Sequence, residues 1–384
     1  MPKTPAAKKA VSILCLYLVA ANGIAFAAPP GNSAAPASPR AAASAHPASG
    51  THRSRGVPSY TDPAKGDLTA YDDPVVRQIA VDALGHSNGS VVAMDPATGR
   101  ILTVVNQKMA FSSGFEPCST IKPVIALAGL EEGAINHDTM IRIDRRRYMG
   151  LTEAMAHSNN TFFERVGSQL GFDTVIRYAQ LLGLGDRVGY NIPEEQPGLL
   201  PSRPPAYGGV ARMSSFGEGI RITPLQLASL VSTLANGGTQ FFLQYPRTDQ
   251  ERQDFQPRIR RSLDIAPLLP DLREGMLAAV LYGTARQSYD PYGEQALGKT
   301  GTCNDESLGG RLGWFVSYAD QEHPKIVLIV LIRGGSRSVS GPRASEIAGR
   351  IYRNLHDRNY FAEPTHAAAL AASAVPFATS PSAH

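Results

Sequence analysis

The sequence predicts an α+β fold: one antiparallel sheet flanked by helices, with a helical subdomain. Three observations lead there. Two apolar runs around a Pro/Gly turn lie early in the chain, helical spacing dominates the middle, and strand-like runs return near the end. No internal repeat is visible.

In order, a helix is expected around Tyr71 to Leu84, followed by a hairpin of Gly89 to Met94 and Ile101 to Val105 around Asp95-Pro96-Ala97-Thr98-Gly99. Helical spacing then covers Thr120 to Gly129, Thr152 to Leu170, Thr174 to Leu182 and Pro224 to Leu234. Gly313 to Ala319 and Lys325 to Ile332 read as neighbouring strands, and Arg343 to Leu355 as a closing helix.

The termini have a different character. Lys3, Lys8 and Lys9 precede an apolar run from Ala10 to Ala21, and Ala25-Phe26-Ala27 offers a small-x-small cleavage pattern, so residues 1–27 read as a signal peptide for export. An uncleaved membrane anchor is the alternative, since the segment approaches the roughly 20 residues that span a bilayer. Asn22 and Gly23 interrupt it, which favours cleavage, and Cys15 would leave with the signal. From Ala28 to Gly50 every residue except Asn32, Arg40 and His46 is Ala, Pro, Ser or Gly. Such a composition cannot offset the entropy of ordering, so 28–66 is expected to be a disordered tether, 67–361 the folded domain and 362–384 a disordered tail.

Across 384 residues the hydrophobic content of 43% suffices for a large core, and the formal charge of +4 would suit an anionic polymer without pointing to nucleic acid. The nine histidines show no ligand spacing, so neither a metal nor a cofactor is expected. Gly293 to Thr300 fits the phosphate-loop expression G-x-x-x-x-G-K-[ST]. That loop must follow a strand and open a helix, whereas here Asp290-Pro291-Tyr292 precedes it and a strand is expected after it. A nucleotide hydrolase is therefore set aside.

Ser119-Thr120-Ile121-Lys122 stands at the start of an apolar helical run, where three residues place Lys122 beside Ser119 on one face. A desolvated lysine can take the proton of a neighbouring hydroxyl, and a helix start favours the anion that results. Ser158-Asn159-Asn160 and Lys299-Thr300-Gly301-Thr302 complete a set of three short motifs. S-x-x-K, S-D-N and K-T-G in this order mark penicillin-binding proteins and class A β-lactamases, with Asn159 here in place of Asp.

Through these motifs the chain resembles the transpeptidase domain of the class B penicillin-binding proteins, and hence a penicillin-binding protein/β-lactamase-like fold. The resemblance extends to the hairpin from Ser90 to Leu102, to Glu116 to Pro123 with Cys118 where the family usually has Gly, and to His157 to Phe163. It also takes in Ser214 to Ala228 and Leu234 to Gly238. The resemblance implies a serine D,D-transpeptidase acting on D-Ala-D-Ala stem peptides of peptidoglycan and acylated by β-lactams. Ser119 would be the nucleophile, Lys122 its base, Ser158 a proton relay and Lys299 the source of positive field. Asn160, Thr300, Gly301 and Thr302 would bind substrate, with the backbone N–H groups of Ser119 and Thr302 as oxyanion hole. The family's large N-terminal pedestal is not expected, because only about forty residues separate the signal from the domain. Cell-wall synthesis proteins are possible partners, and the periplasm or cell envelope is the expected location.

The resemblance also implies a disulfide. Cys118 directly precedes the nucleophile and Cys303 directly follows Thr302, so if both N–H groups serve one oxyanion the two cysteines come within bridging distance. The same positions resemble the bridge of certain class A carbapenemases. A D,D-carboxypeptidase or β-lactamase shares the nucleophile, and Glu194 and Glu195 might then pose as the carboxylate for deacylation. A β-lactam sensor or a non-catalytic wall-binding module is the alternative of another class. A sensor would need a second membrane-spanning segment, which the sequence does not offer.

Overall fold

The computed structural model describes residues 57–361 apart from 306–308 and 321–322. The expected signal peptide, the tail from 362 and the tether as far as residue 56 lie outside the described residues.

Helix α1 (Pro74–Leu84) begins where Asp73 accepts from Val75 N and Val76 N, and Pro74 supplies the fixed φ that suits a helix start. Strands β1 (Gly89–Met94) and β2 (Ile101–Val105) form the expected antiparallel hairpin. Asp95 knots its turn by accepting from Ala97 N and Thr98 Oγ1. After a short α2 (Gln107–Ala110), a 3-10 turn over Cys118–Ile121 runs directly into α3 (Lys122–Glu131). The small hairpin of β3 (Ile141–Arg142) and β4 (Tyr148–Met149) precedes α4 (Leu151–Ala156), α5 (Asn160–Leu170) and α6 (Phe172–Leu181).

Helical spacing alone runs from Thr152 to Leu170 without interruption, yet the structure divides this stretch. Ser158 sits at φ 54°, a left-handed conformation that no helix interior accepts, and Asn159 Oδ1 then caps the new helix through Phe162 N.

Helix α7 (Gly209–Phe216), which periodicity does not reveal, leads to α8 (Pro224–Ala235), started by a capping box of Thr223 and Gln226. Strand β5 (Thr239–Phe241), helix α9 (Asp249–Gln253) and strand β6 (Ile259–Ser262) follow, β5 pairing with β6. Helix α10 (Leu269–Leu281), also not foreseen, precedes β7 (Ala296–Asp305), β8 (Gly310–Ala319) and β9 (Ile326–Gly334), and α11 (Gly341–Asp357) closes the fold.

The main sheet is antiparallel throughout, in the order β2-β1-β9-β8-β7, with β7 at one edge. Alternate residues of its strands serve two cores. Ile326, Leu328, Val330 and Ile332 pack with α1 and α11, while Val327, Ile329 and Leu331 pack with the helical subdomain. That double burial is why the β9 run is continuously apolar. Residues 296–300 of the phosphate-loop match belong to a strand and Lys299 is buried, so no helix-opening phosphate cradle exists there.

The expected tether reaches residue 66, but the structure corrects its last part. Val57 O accepts from Gly335 N, Pro58 O from Asn88 Nδ2, Ser59 O from Asn88 N, and Ser59 Oγ from Ser336 N. Asp67 continues the docking by pairing with Arg77 and accepting from Asn106 N and Gln107 N. Backbone hydrogen bonding, invisible to composition, ties this segment down. A chain starting at Thr61 should therefore be less stable than one starting at Val57 by about 2 kcal/mol, as read by urea unfolding, given about 1 kcal/mol for each lost bond less the entropy regained. Equal midpoints for the two chains would show that the docking contributes nothing.

Candidate active site

Ser119 lies in the 3-10 turn before α3, almost buried, and Lys122 is the first residue of α3, with no exposure at all. The turn brings Lys122 Nζ within 2.6 Å of Ser119 Oγ. The kink at 157–159 brings the second motif to the same amine. Nζ donates to Asn160 Oδ1 at 2.7 Å and to the Ser158 carbonyl at 3.2 Å, and lies 3.1 Å from Ser158 Oγ. Ser158 and Asn160 could each have been a simple helix cap. The capping falls instead to Asn159, which frees its two neighbours to face Lys122.

These contacts define what the amine can do. Asn160 Oδ1 and the Ser158 carbonyl only accept, so a neutral amine spends its two N–H groups on them and keeps its lone pair for a hydroxyl. Burial, with a smaller push from nearby Lys299, holds Lys122 well below the ordinary lysine range, while Glu164 pulls weakly the other way. Lys299 reaches the site region from β7, donates to the Thr300 carbonyl at 3.0 Å, and is lowered by burial to about 7.

Strand β7 approaches the Ser119 turn closely. A Cβ on Gly301 would stand 3.0 Å from the Pro117 carbonyl and 3.1 Å from Thr120 Cγ2, so glycine is the residue that lets strand and turn meet. Cys118 and Cys303 are joined in a disulfide with Cα atoms 5.6 Å apart. Trp314, fully buried in β8, donates from Nε1 to the Glu116 carbonyl and braces the same segment from below. The hydroxyls of Thr300 and Thr302 are already engaged: Thr300 Oγ1 is 2.6 Å from Thr284 Oγ1, and Thr302 Oγ1 accepts from Gly341 N at 2.7 Å.

Glu194 and Glu195 are placed elsewhere. Glu195 is buried, accepting from Val188 N and Gly189 N, and Glu194 pairs with Arg247. Among the described residues neither hydrogen-bonds Ser119 or Lys122. Two contacts went unassigned in the sequence: the Ser215 carbonyl, 3.4 Å from Ser119 Oγ, and Thr284. Ser215 lies in the Ser214-Ser215-Phe216-Gly217 segment that carried part of the resemblance, so a signal existed. Thr284 carried none.

The family model for the penicillin binding protein transpeptidase domain matches residues 89–353. The chain belongs to this family. It is 25% identical over 352 residues to stage V sporulation protein D of Bacillus subtilis, covering 77% of this chain and 54% of that protein. It is 26% identical over 369 residues to the peptidoglycan D,D-transpeptidase MrdA of Acinetobacter baumannii, covering 76% and 54%. The chain thus spans about half the length of these curated relatives. In fold it resembles the transpeptidase domain of penicillin-binding protein 3 from Burkholderia pseudomallei, with a TM-score of 0.65, 18% identity and coverage of 76% and 95%. No helix among the described residues is long and apolar enough to cross a membrane.

Within this family fold the disulfide closes a span of 185 residues, for which chain entropy gives up to about 5 kcal/mol of stabilisation. Alkylation of the denatured protein should label Cys118 and Cys303 only after reduction, and Cys118→Ser should lower the unfolding free energy by several kcal/mol. Two cysteines alkylated without reductant would contradict the bridge.

Proposed function

We propose that this chain is a peptidoglycan D,D-transpeptidase that forms an acyl-enzyme on Ser119 with D-Ala-D-Ala stem peptides and is acylated there by β-lactams. The observation that carries the reading is the buried Lys122 amine 2.6 Å from Ser119 Oγ, with its remaining hydrogens directed to acceptors. Lys122 takes the Ser119 proton as Oγ attacks the carbonyl of the penultimate D-alanine. The tetrahedral oxyanion is held by the N–H groups of Ser119 and Thr302, each such donor being worth about 3 kcal/mol to the transition state. Ser158 relays a proton to the leaving D-alanine amine, Lys299 supplies positive field, and Asn160 holds the substrate amide. Thr300 and Thr302 flank Gly301 on the strand that receives the terminal carboxylate. An amine of a second stem peptide, or water, then resolves the ester.

The placement of Glu194 and Glu195 away from Ser119 supports slow hydrolysis and argues against a β-lactamase built on that loop. An inert wall-binding module would have no use for so complete a set of catalytic groups. We further read the protein as exported, with residues 1–27 as its signal, and as working in the periplasm or cell envelope on peptidoglycan, with cell-wall synthesis proteins as candidate partners.

Mass spectrometry after exposure to a penicillin should show a stable adduct on Ser119, absent in Ser119→Ala; undiminished labelling of that variant would overturn the assignment. Lys122→Ala should acylate at least about 100-fold more slowly. Because the neutral amine is the active form and Lys122 is lowered, acylation should rise with pH along a limb that lies well below the ordinary lysine range. A limb close to pH 10, or an unaffected Lys122→Ala rate, would assign the base to another group.

A further inference from the structure

We propose that Glu164 is a positioning residue for acylation, its carboxylate closing a ring of contacts around Ser119 and placing a negative charge beside the Ser119–Lys122 pair. This inference rests on reading Ser119 as nucleophile and Lys122 as base.

Glu164 follows Asn160 by four residues, so the two occupy one face of α5. Asn160 accepts from Lys122 Nζ at 2.7 Å, and one turn further Glu164 Oε1 accepts from Ser215 Oγ at 3.0 Å. The carbonyl of that same Ser215 is 3.4 Å from Ser119 Oγ, which is 2.6 Å from Lys122 Nζ. The ring therefore runs from Lys122 through α5 to α7 and back through the nucleophile. Close contact of α5 with α7 makes it possible, since a Cβ on Gly167 would fall 2.0 Å from Ser214 Oγ.

Two separable effects follow. The hydrogen bond fixes Ser215, whose carbonyl limits where Ser119 Oγ can point. The charge acts on Lys122, which meets one other charged group among those bearing on it, Lys299 from β7; Ser158, Asn160 and Ser215 are uncharged, and Phe163 presents its ring at 5.6 Å. Burial and Lys299 weaken the amine as a base, and Glu164 opposes them. An amine lowered further would stay neutral to lower pH yet take a proton less readily, and the carboxylate opposes that change.

The test is the pH profile of acylation by a fluorescent penicillin, from about pH 5 to 9, for the wild type, Glu164→Gln, Glu164→Asp and Ser215→Ala. Glu164→Gln keeps an acceptor for Ser215 and removes the charge. Its acid limb should move to lower pH by about half a unit, about threefold in rate at a fixed acidic pH. Glu164→Asp, which withdraws the charge, should shift the limb less in the same direction and serves also if the Gln variant does not fold. Ser215→Ala should lower the rate with the limb unmoved. A Glu164→Gln profile that is unchanged, or scaled by one factor at all pH values, overturns this inference alone. A wild type that takes no label would remove the reading of Ser119 and this inference with it.

Discussion

The structure depends on keeping a lysine amine dry and aimed. Lys122 is fully buried, and an ammonium there would lack water without gaining a carboxylate at contact distance. The site resolves this by surrounding the amine with a hydroxyl, a carbonyl and an amide oxygen in place of counter-charge. The left-handed backbone at Ser158, of order 1–3 kcal/mol for a non-glycine residue, is part of the cost. It turns the Ser158 carbonyl and hydroxyl toward Lys122 at once, which a regular helix would not do.

The Ser119 segment is in turn fixed against the sheet edge from several directions. The disulfide ties Cys118 to Cys303, Gly301 lets β7 come within van der Waals reach of Pro117 and Thr120, and Trp314 holds the Glu116 carbonyl. Cys118 itself has φ 51°, a conformation that favours glycine. The bridge supplies at this position a restraint that glycine could not, at the expense of backbone ease. The Ser119 turn and strand β7 thus belong to one tied unit.

Much of this was legible in the sequence. The S-x-x-K spacing placed Ser119 beside Lys122 because one helical turn is a local property, and the strand runs of β8 and β9 stood out because both faces are buried. What escaped notice depended on contacts between distant segments. The break at Ser158 is set by the demands of Lys122, 36 residues earlier in the chain, so the helical pattern ran on through it. Residues 57–66 looked like tether because their composition is poor in apolar side chains, while their anchorage is through backbone carbonyls. Sequence also left Ser158 and Asn160 open as helix caps, since only the position of the helix start, which makes Asn159 the cap, decides it.

Alternation along β7 sorts its residues into two sets. Lys299 and Gly301 share one side of the strand, and Gly301 meets the nucleophile turn. Thr300 and Thr302 share the other, where Thr284 and the N-terminus of α11 hold their oxygens. Thr302 Oγ1 accepts from Gly341 N and so retains its own proton, while the Thr284–Thr300 pair shares one hydrogen bond between two hydroxyls and has one proton to spare. The strand thus carries a buried amine on one side, donating to the Thr300 carbonyl, and hydroxyl protons on the other.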